Sequence, residues 1–296
     1  MIKEFIKSTQ KKLEKIAKTK SKDSLYFKTY SFLLTKLRPV YFSNEFLLLK
    51  GLKRKSSSSQ QSILFFTVHK SASTFIKHTI IKIIGNEELV PINLGGLLSL
   101  EDQIKHYNNK ALMSKVLKEK GFYYIFRSYN DFPDLNKFKI LLVLRDPRDV
   151  LTSHYFSTLF NHPLSRIEVI EDREKYSNLS IDEFVLKYAI ELAAEYADYC
   201  NYLLPRENVL LLKYEDMVER FPSWLHKLSA FLTPINKEDV LNKIIDETSF
   251  VVKKEDKNSF IRNIKPGDHK NKLRPETIDA LNKLFYSSML KLGYEI

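Results

Sequence analysis

The sequence predicts an α/β fold: a mainly parallel sheet with helices on both faces, in a P-loop-like nucleotide-binding topology. Three observations predict it. Short uninterrupted runs of β-forming apolar residues recur along the chain, as in strands buried on both faces. Segments with helical spacing and recognisable caps lie between them. The first strong run passes at once into a turn of small polar residues and then a helix, the opening unit of a nucleotide-binding α/β domain.

Taken in order, Ile2, Phe5, Ile6, Leu13 and Ile16 fall near helical spacing with lysines opposite, a basic amphipathic helix that packs on its own domain or meets a membrane surface. A second apolar stretch, Tyr41 to Leu49, leads into Lys53-Arg54-Lys55 and Ser56 to Ser59, a polar linker. The reading therefore divides the chain into an N-terminal basic helical segment and linker, residues 1–61, and a nucleotide-binding domain, residues 62–296. Ser62 to Val68 reads as the first buried strand. After the turn, Phe75, Ile76, Thr79, Ile80 and Ile83 keep helical spacing up to a stop at Gly85-Asn86. Further strands are expected at Tyr123 to Phe126, Lys139 to Leu144 and Asn208 to Leu212. Asp146-Pro147 opens one helix with proline at its first position. Ser180 with Glu183 forms a capping box for another, one more starts near Pro222, and a last runs from Pro275 to about Leu292.

Composition narrows the function. The 296 residues carry 48 Lys and Arg against 36 Asp and Glu, a net charge of +12, with 44% apolar and 28% charged residues, which is globular. Cys200 is the single cysteine, so neither a disulfide framework nor a cysteine zinc site is expected, and a reducing cytoplasm is the default compartment. The seven histidines stand in no metal-ligand spacing, and no run approaches the ~18 apolar residues of a membrane span. The excess positive charge points to an anionic partner: nucleic acid, phospholipid, or an anionic cofactor or substrate.

Two segments carry chemistry. His69-Lys70-Ser71-Ala72-Ser73-Thr74 places a lysine and three hydroxyls at a strand-to-helix turn, where backbone N–H groups and a helix N-terminus favour an anion. The loop has no glycine, which disfavours an ATP- or GTP-hydrolysing Walker loop. In Leu144 to Phe156, Arg145 ends a strand and Ser153 lies in the following helix, so a guanidinium and a hydroxyl can converge on one phosphate. Asp146 and Asp149 are assigned to the helix N-terminus.

These two segments resemble those of the sulfotransferases that use 3′-phosphoadenosine-5′-phosphosulfate (PAPS). Lys70-Ser71-Ala72-Ser73-Thr74-Phe75 is similar to their 5′-phosphosulfate loop K-S-G-T-T-W, and Arg145 through Phe156 to their 3′-phosphate motif. Tyr214-Glu215-Asp216-Met217, Thr248-Ser249-Phe250, and Phe260-Ile261-Arg262 with Gly267-Asp268-His269-Lys270-Asn271 follow in the family's order, so the resemblance runs from about Ser62 to the C-terminus. It implies that Lys70 meets the bridging oxygen and leaving phosphate, that Ser71, Ala72, Ser73 and Thr74 line the 5′-phosphosulfate, and that Arg145, Ser153 and Arg262 hold the 3′-phosphate. It further implies that Phe75 and Phe250 stack on adenine while Tyr214 and Thr248 complete the purine pocket, with PAP as product and no metal.

The departures are specific. Ala72 replaces the loop glycine, Phe75 a tryptophan, and Asn263 and Ile264 stand where lysine and glycine usually follow the arginine. Tyr129, in Arg127-Ser128-Tyr129-Asn130-Asp131, occupies the slot of the family's catalytic histidine. An ordinary tyrosine, with a pKa near ~10, is a poor base at neutral pH. His69 is the preferred base, with Tyr129 and Asp131 as alternatives and Arg127 as an orienter of the sulfuryl group. The expected activity is therefore sulfuryl transfer to a hydroxyl or amine of a small-molecule, lipid or glycan acceptor. A kinase-like group-transfer enzyme is the rival enzyme reading. A basic nucleic-acid or membrane-surface binder is the rival of another class, although no RNA- or DNA-binding signature is present. Acceptor-facing loops are expected around Asn93 to Asn109, Phe160 to Asn178 and Ser249 to Lys265.

Overall fold

Five strands, all parallel, form one sheet in the order β2–β3–β1–β4–β5. A computed structural model describes residues 4, 5, 8, 9, 11, 12, 15, 25–50, 52, 60–85, 89–97, 105, 107–117, 120–162, 167–252 and 254–296. The strands are β1 (Ile63–Thr67), β2 (Val90–Ile92), β3 (Gly121–Phe126), β4 (Lys139–Leu144) and β5 (Val209–Lys213). The helices the site depends on are α1 (Leu25–Tyr41), α2 (Ser43–Leu49), α3 (Ser73–Ile84), α4 (Leu94–Leu97), α5 (Lys110–Val116), α6 (Pro147–Phe156), α7 (Ile167–Tyr176), α8 (Ile181–Asp198), α9 (Tyr214–Glu219), α10 (Phe221–Leu232), α11 (Glu238–Glu247), α12 (His269–Lys272) and α13 (Pro275–Leu292). Among the described residues, no helix is long and apolar enough to cross a membrane.

Why the central strands read as continuous apolar runs is clear from their two faces. Successive side chains of β1 alternate, so Leu64 and Phe66 enter one core with Leu142 and Leu144, while Ile63 and Phe65 enter the other with Leu141 and Val143. The first core is covered by residues of α6, α8 and α13, the second by residues of α3, α10 and α11. Leu48 of α2 is buried in the first core, and Glu45 accepts a hydrogen bond from the Asn93 backbone at 2.8 Å, so this helix packs on the sheet domain. Ile2, Ile6, Leu13 and Ile16 of the expected amphipathic helix, the polar run from Lys53 to Ser59, and Asn86 lie outside the described residues.

A strand that is apolar on both faces does not set its own register, so polar pins at the strand ends do it. The Thr67 hydroxyl donates to the Val143 carbonyl at 2.7 Å, and Asn208 donates to the carbonyls of Leu135 and Phe138. Caps fix the helices in the same way. Asp146 accepts from Arg148 N at 2.9 Å ahead of Pro147, and Ser180 and Glu183 form a reciprocal capping box. Gly85 ends α3 at φ 72°, a left-handed turn that glycine adopts freely. The sequence gives no sign of β2, a three-residue edge strand containing Pro91, whose missing N–H is tolerated because only β3 pairs with it.

The strand order carries the functional consequence. From β1 the chain moves to one side, through β2 and β3, and then returns to the other side as β4 and β5. The loops after β1 and β4 therefore diverge, opening a crevice at the carboxyl ends of these strands, the usual ligand position in open α/β sheets.

Candidate functional site

The loop after β1 runs through His69, Lys70, Ser71 and Ala72 and enters α3 at Ser73. Two of its residues are left-handed, Lys70 at φ 63° and Ala72 at φ 54°. For residues with a Cβ this costs roughly 1–2 kcal/mol each, so the surroundings must impose it. Arg127, just past β3, is one source of that restraint. It donates to the Val68 carbonyl at 2.6 Å and to Ser73 Oγ at 2.8 Å, gripping the loop at both ends. Ser71 at the base of the turn is 0% exposed and its hydroxyl has no partner. An orphaned buried hydroxyl costs ~1–3 kcal/mol, which an oxyanion in the loop would offset. Ala72 and Ser73 complete the turn, and Thr74 is exposed in the first turn of α3.

Cations converge on this loop. Arg145, 3% exposed at the end of β4, donates to the Lys70 carbonyl at 3.0 Å, lies over the Tyr214 ring at 4.3 Å, and leaves its Nε unpartnered. Lys70 is pulled down to about 8 by burial and by the neighbouring Arg145, Arg127 and Arg262. Its ammonium stands 5.8 Å from the centre of the Phe260 ring, itself 65% exposed. Arg262 is buried against the face of Phe156 at 3.9 Å and pairs with both Glu255 and Asp268. Ser153 is half-buried in α6, two turns along from Arg145. Four cations thus surround one small volume.

The aromatic positions form the adjoining wall. Phe75 and Phe250 meet edge to face at 5.4 Å, each also touching Phe221. Rings in mutual contact leave no slot between them, so a purine would lie against their outer faces. Thr248 donates back to the Ile244 carbonyl at 2.6 Å, closing α11. Tyr214 donates to the Ile264 carbonyl at 2.9 Å, tying the turn after β5 to the segment that carries Arg262.

Of the three candidate bases, His69 stands beside Lys70. Desolvation by the atoms packed around it, with the Arg127, His154 and Lys70 charges, holds its pKa well below the ordinary value although the residue keeps an exposed surface. Asp131 is exposed and paired with Lys110 at 2.6 Å, and Tyr129 stacks on Tyr202 at 4.9 Å. Burial raises the Tyr129 pKa, and Lys110 lowers that of Asp131.

Asp146 caps α6 as its position suggests, whereas Asp149 does something the sequence gives no sign of. Fully buried, it accepts from Gly267 N at 2.7 Å, from His269 N at 3.0 Å and from the His269 ring at 2.7 Å, and it faces Arg145 at 3.6 Å. Burial alone would raise its pKa, but the His269 hydrogen bonds and the Arg145 charge prevail and hold it at about 2. A second brace reaches the same loop from behind. Glu215 accepts from Asp146 N at 2.8 Å and from the Tyr294 hydroxyl at 3.2 Å, while Arg148 donates to the Glu295 carbonyl at 2.8 Å. Among the described residues, no group of three histidine, cysteine or carboxylate side chains is placed to hold a metal ion.

Comparisons with known proteins bear on the family and the fold. The family model described as "Sulfotransferase domain" matches residues 44–293. Sulfotransferase 2A6 of Rattus norvegicus is 29% identical over 175 residues, 52% of this chain and 57% of that protein. Sulfotransferase 2A1 of Homo sapiens is 27% identical over 179 residues, 54% of this chain and 60% of that protein. The chain thus matches somewhat over half the length of these curated relatives. Among solved structures, mouse sulfotransferase SULT7A1 complexed with PAP superposes with a TM-score of 0.52 and 18% identity, over 84% of this chain and 90% of that one.

Proposed function

The chain belongs to the sulfotransferase domain family, and from that premise we propose that it transfers a sulfuryl group from PAPS to a hydroxyl or amine of a small-molecule acceptor, releasing PAP. The observation that carries the reading is Ser71: a buried, partnerless hydroxyl in a left-handed loop, next in the chain to Lys70, on which the charges of Arg145, Arg127 and Arg262 act. Such a volume fits a compact polyanion, since anionic oxygens would satisfy the hydroxyl and relieve the mutual repulsion of the cations. PAPS, when bound, supplies an activated sulfuryl group with adenosine 3′-phosphate as its handle.

Under this reading Ser71, Ala72, Ser73 and Thr74 line the 5′-phosphosulfate with hydroxyls and the N-terminus of α3. Arg145 and Ser153 hold the 3′-phosphate, with Arg262 as a third contributor already partly neutralised by Glu255 and Asp268. Phe75, Phe250, Tyr214 and Thr248 border the purine. Lys70 neutralises charge on the leaving oxygen, the electrostatic term that dominates this class of transfer. His69, kept neutral by its surroundings, takes the acceptor proton. The exposed Phe260, close to Lys70, offers an apolar surface to the acceptor.

Calorimetry with PAP tests the cradle. Wild type is expected to bind, and Arg145→Ala to bind about 10- to 100-fold more weakly, the worth of a charged hydrogen bond of ~1.5–3 kcal/mol. No binding by wild type would end the reading. The Lys70 pKa of about 8 adds a signature. PAP favours the ammonium form and raises that pKa, so binding takes up protons near pH ~8, and affinity is full below that value and declines as pH rises through it. Equal binding heats in buffers of different ionisation enthalpy at pH ~8 would contradict this. His69→Ala should leave PAP affinity intact and lower turnover by ~100-fold; near-normal turnover would return the role of base to Tyr129 or Asp131.

A further inference from the structure

His154 has no role in the reading above. It follows Ser153 in α6, half-buried, and its ring lies 6.4 Å from the ring of His69, near enough to Lys70 for that charge to act on it. At that separation the two imidazoles cannot hydrogen-bond each other. The gap is, however, wide enough for one oxygen to stand between them within a hydrogen bond of ~2.8 Å of a nitrogen of each ring. The His154 ring is held by aromatic neighbours on α8, edge-on to Tyr188 at 5.0 Å and tilted against Phe184 at 5.5 Å. A histidine on an aromatic wall, one oxygen's width from the candidate base, is where an acceptor oxygen would arrive.

We propose that His154 is a second acceptor-binding imidazole, which with His69 seats the acceptor hydroxyl between two rings beside Lys70. This rests on the sulfuryl-transfer reading. His69 accepts the O–H proton, and His154 donates a ring N–H to the same oxygen, aiming its remaining lone pair at sulfur. As the acceptor oxygen bonds to sulfur, the bond from sulfur to the bridging oxygen breaks, and its electron pair stays with the 5′-phosphate of PAP. The proton on His69 then passes to water, so charge and atoms balance.

The electrostatic surroundings suit neutral rings. Burial, Lys70 and His162 lower the His154 pKa to about 4, and Arg127 acts in the same direction on His69. Tyr188, the titratable group facing His154 from α8, is itself raised by burial, so it stays a neutral phenol. A neutral imidazole carries both a donor and an acceptor, which the arrangement requires of each ring.

The test compares the full-length wild type with His154→Gln, which keeps an N–H donor, and His154→Phe, which does not. PAP binding by calorimetry should stay within about 3-fold in both variants. A wild type that does not bind PAP would remove the sulfuryl-transfer reading itself, a failure distinct from that of the imidazole pair. PAP release from PAPS is then followed with 4-nitrophenol, with a long-chain alkanol and with water alone. His154→Phe should lower kcat by about 10- to 100-fold, His154→Gln should recover most of the loss, and His69→Gln should recover none. Independently of turnover, nitrogen NMR of the histidine rings should show His154 neutral at pH ~7, and both rings should shift together when 4-nitrophenol is added to the PAP complex. Normal turnover in His154→Phe, equal losses in the two variants, or a His154 ring unmoved by the phenol would overturn the proposal.

Discussion

Lys70→Ala is expected to lower sulfuryl transfer by ~10²- to 10³-fold, the effect of deleting one preorganised donor from a site where leaving-group charge develops. The expectation follows from where the ammonium sits. Lys70 belongs to a left-handed loop gripped by Arg127 and bonded through its carbonyl to Arg145, so its backbone is fixed before any substrate arrives. Burial and three nearby guanidiniums lower its pKa to about 8, which makes it a ready proton and hydrogen-bond donor to an anionic leaving oxygen. Lys70→Arg should not restore the rate, because a planar fork cannot replace a compact ammonium in a volume that already holds three of them. The measurement is PAP release under saturating PAPS. Retention of more than about a tenth of the wild-type rate by the alanine variant would remove Lys70 from the leaving-group role.

Asp149→Ala should be the most damaging substitution for stability. It deletes the acceptor of three hydrogen bonds from Gly267 and His269 and strips the buried Arg145 of its nearest carboxylate. Removing one partner of a buried ion pair costs about 3–5 kcal/mol, so a fall in Tm on the order of 10 °C is expected. The pH dependence gives an internal control. The Asp149 pKa of about 2 lies below the ordinary carboxylate value of ~3.9, so its contribution is complete above pH ~4 and fades as pH falls toward ~2. Urea denaturation of wild type and Asp149→Asn should therefore show a large stability gap at neutral pH that narrows in acid. A gap that stays constant down to pH ~2 would show that the carboxylate charge is not its source.

Particular residues show how far the sequence could be read. The runs Ile63–Thr67 and Lys139–Leu144 announced themselves because strands covered on both faces are apolar along their middles, with polar residues only at the ends. The Ser180–Glu183 box and Asp146-Pro147 were legible because caps are local, within three residues of the helix they start. β2 was not, since three residues with a proline carry no periodicity to detect. The convergence of Lys70 with Arg145 was accessible through the strand-to-helix pattern. The bond between Asp149 and His269, 120 residues apart, is written in no spacing. Nor is the turning of Tyr129 onto Tyr202, or the hold of Arg127 on Ser73, because such directions are decided by packing between segments distant in the chain.

The left-handed alanine at position 72 bears on the speed of nucleotide capture. A glycine there would leave the turn free to sample many shapes, and each encounter with a nucleotide would have to select the competent one. With a methyl group at φ 54° and Arg127 clamping both flanks, that choice is made once, during folding. Under the proposed reading the cradle waits in its receiving shape, so capture should be fast, helped by the pull of four cations on a polyanion, and differences in affinity should be expressed in how slowly the nucleotide leaves.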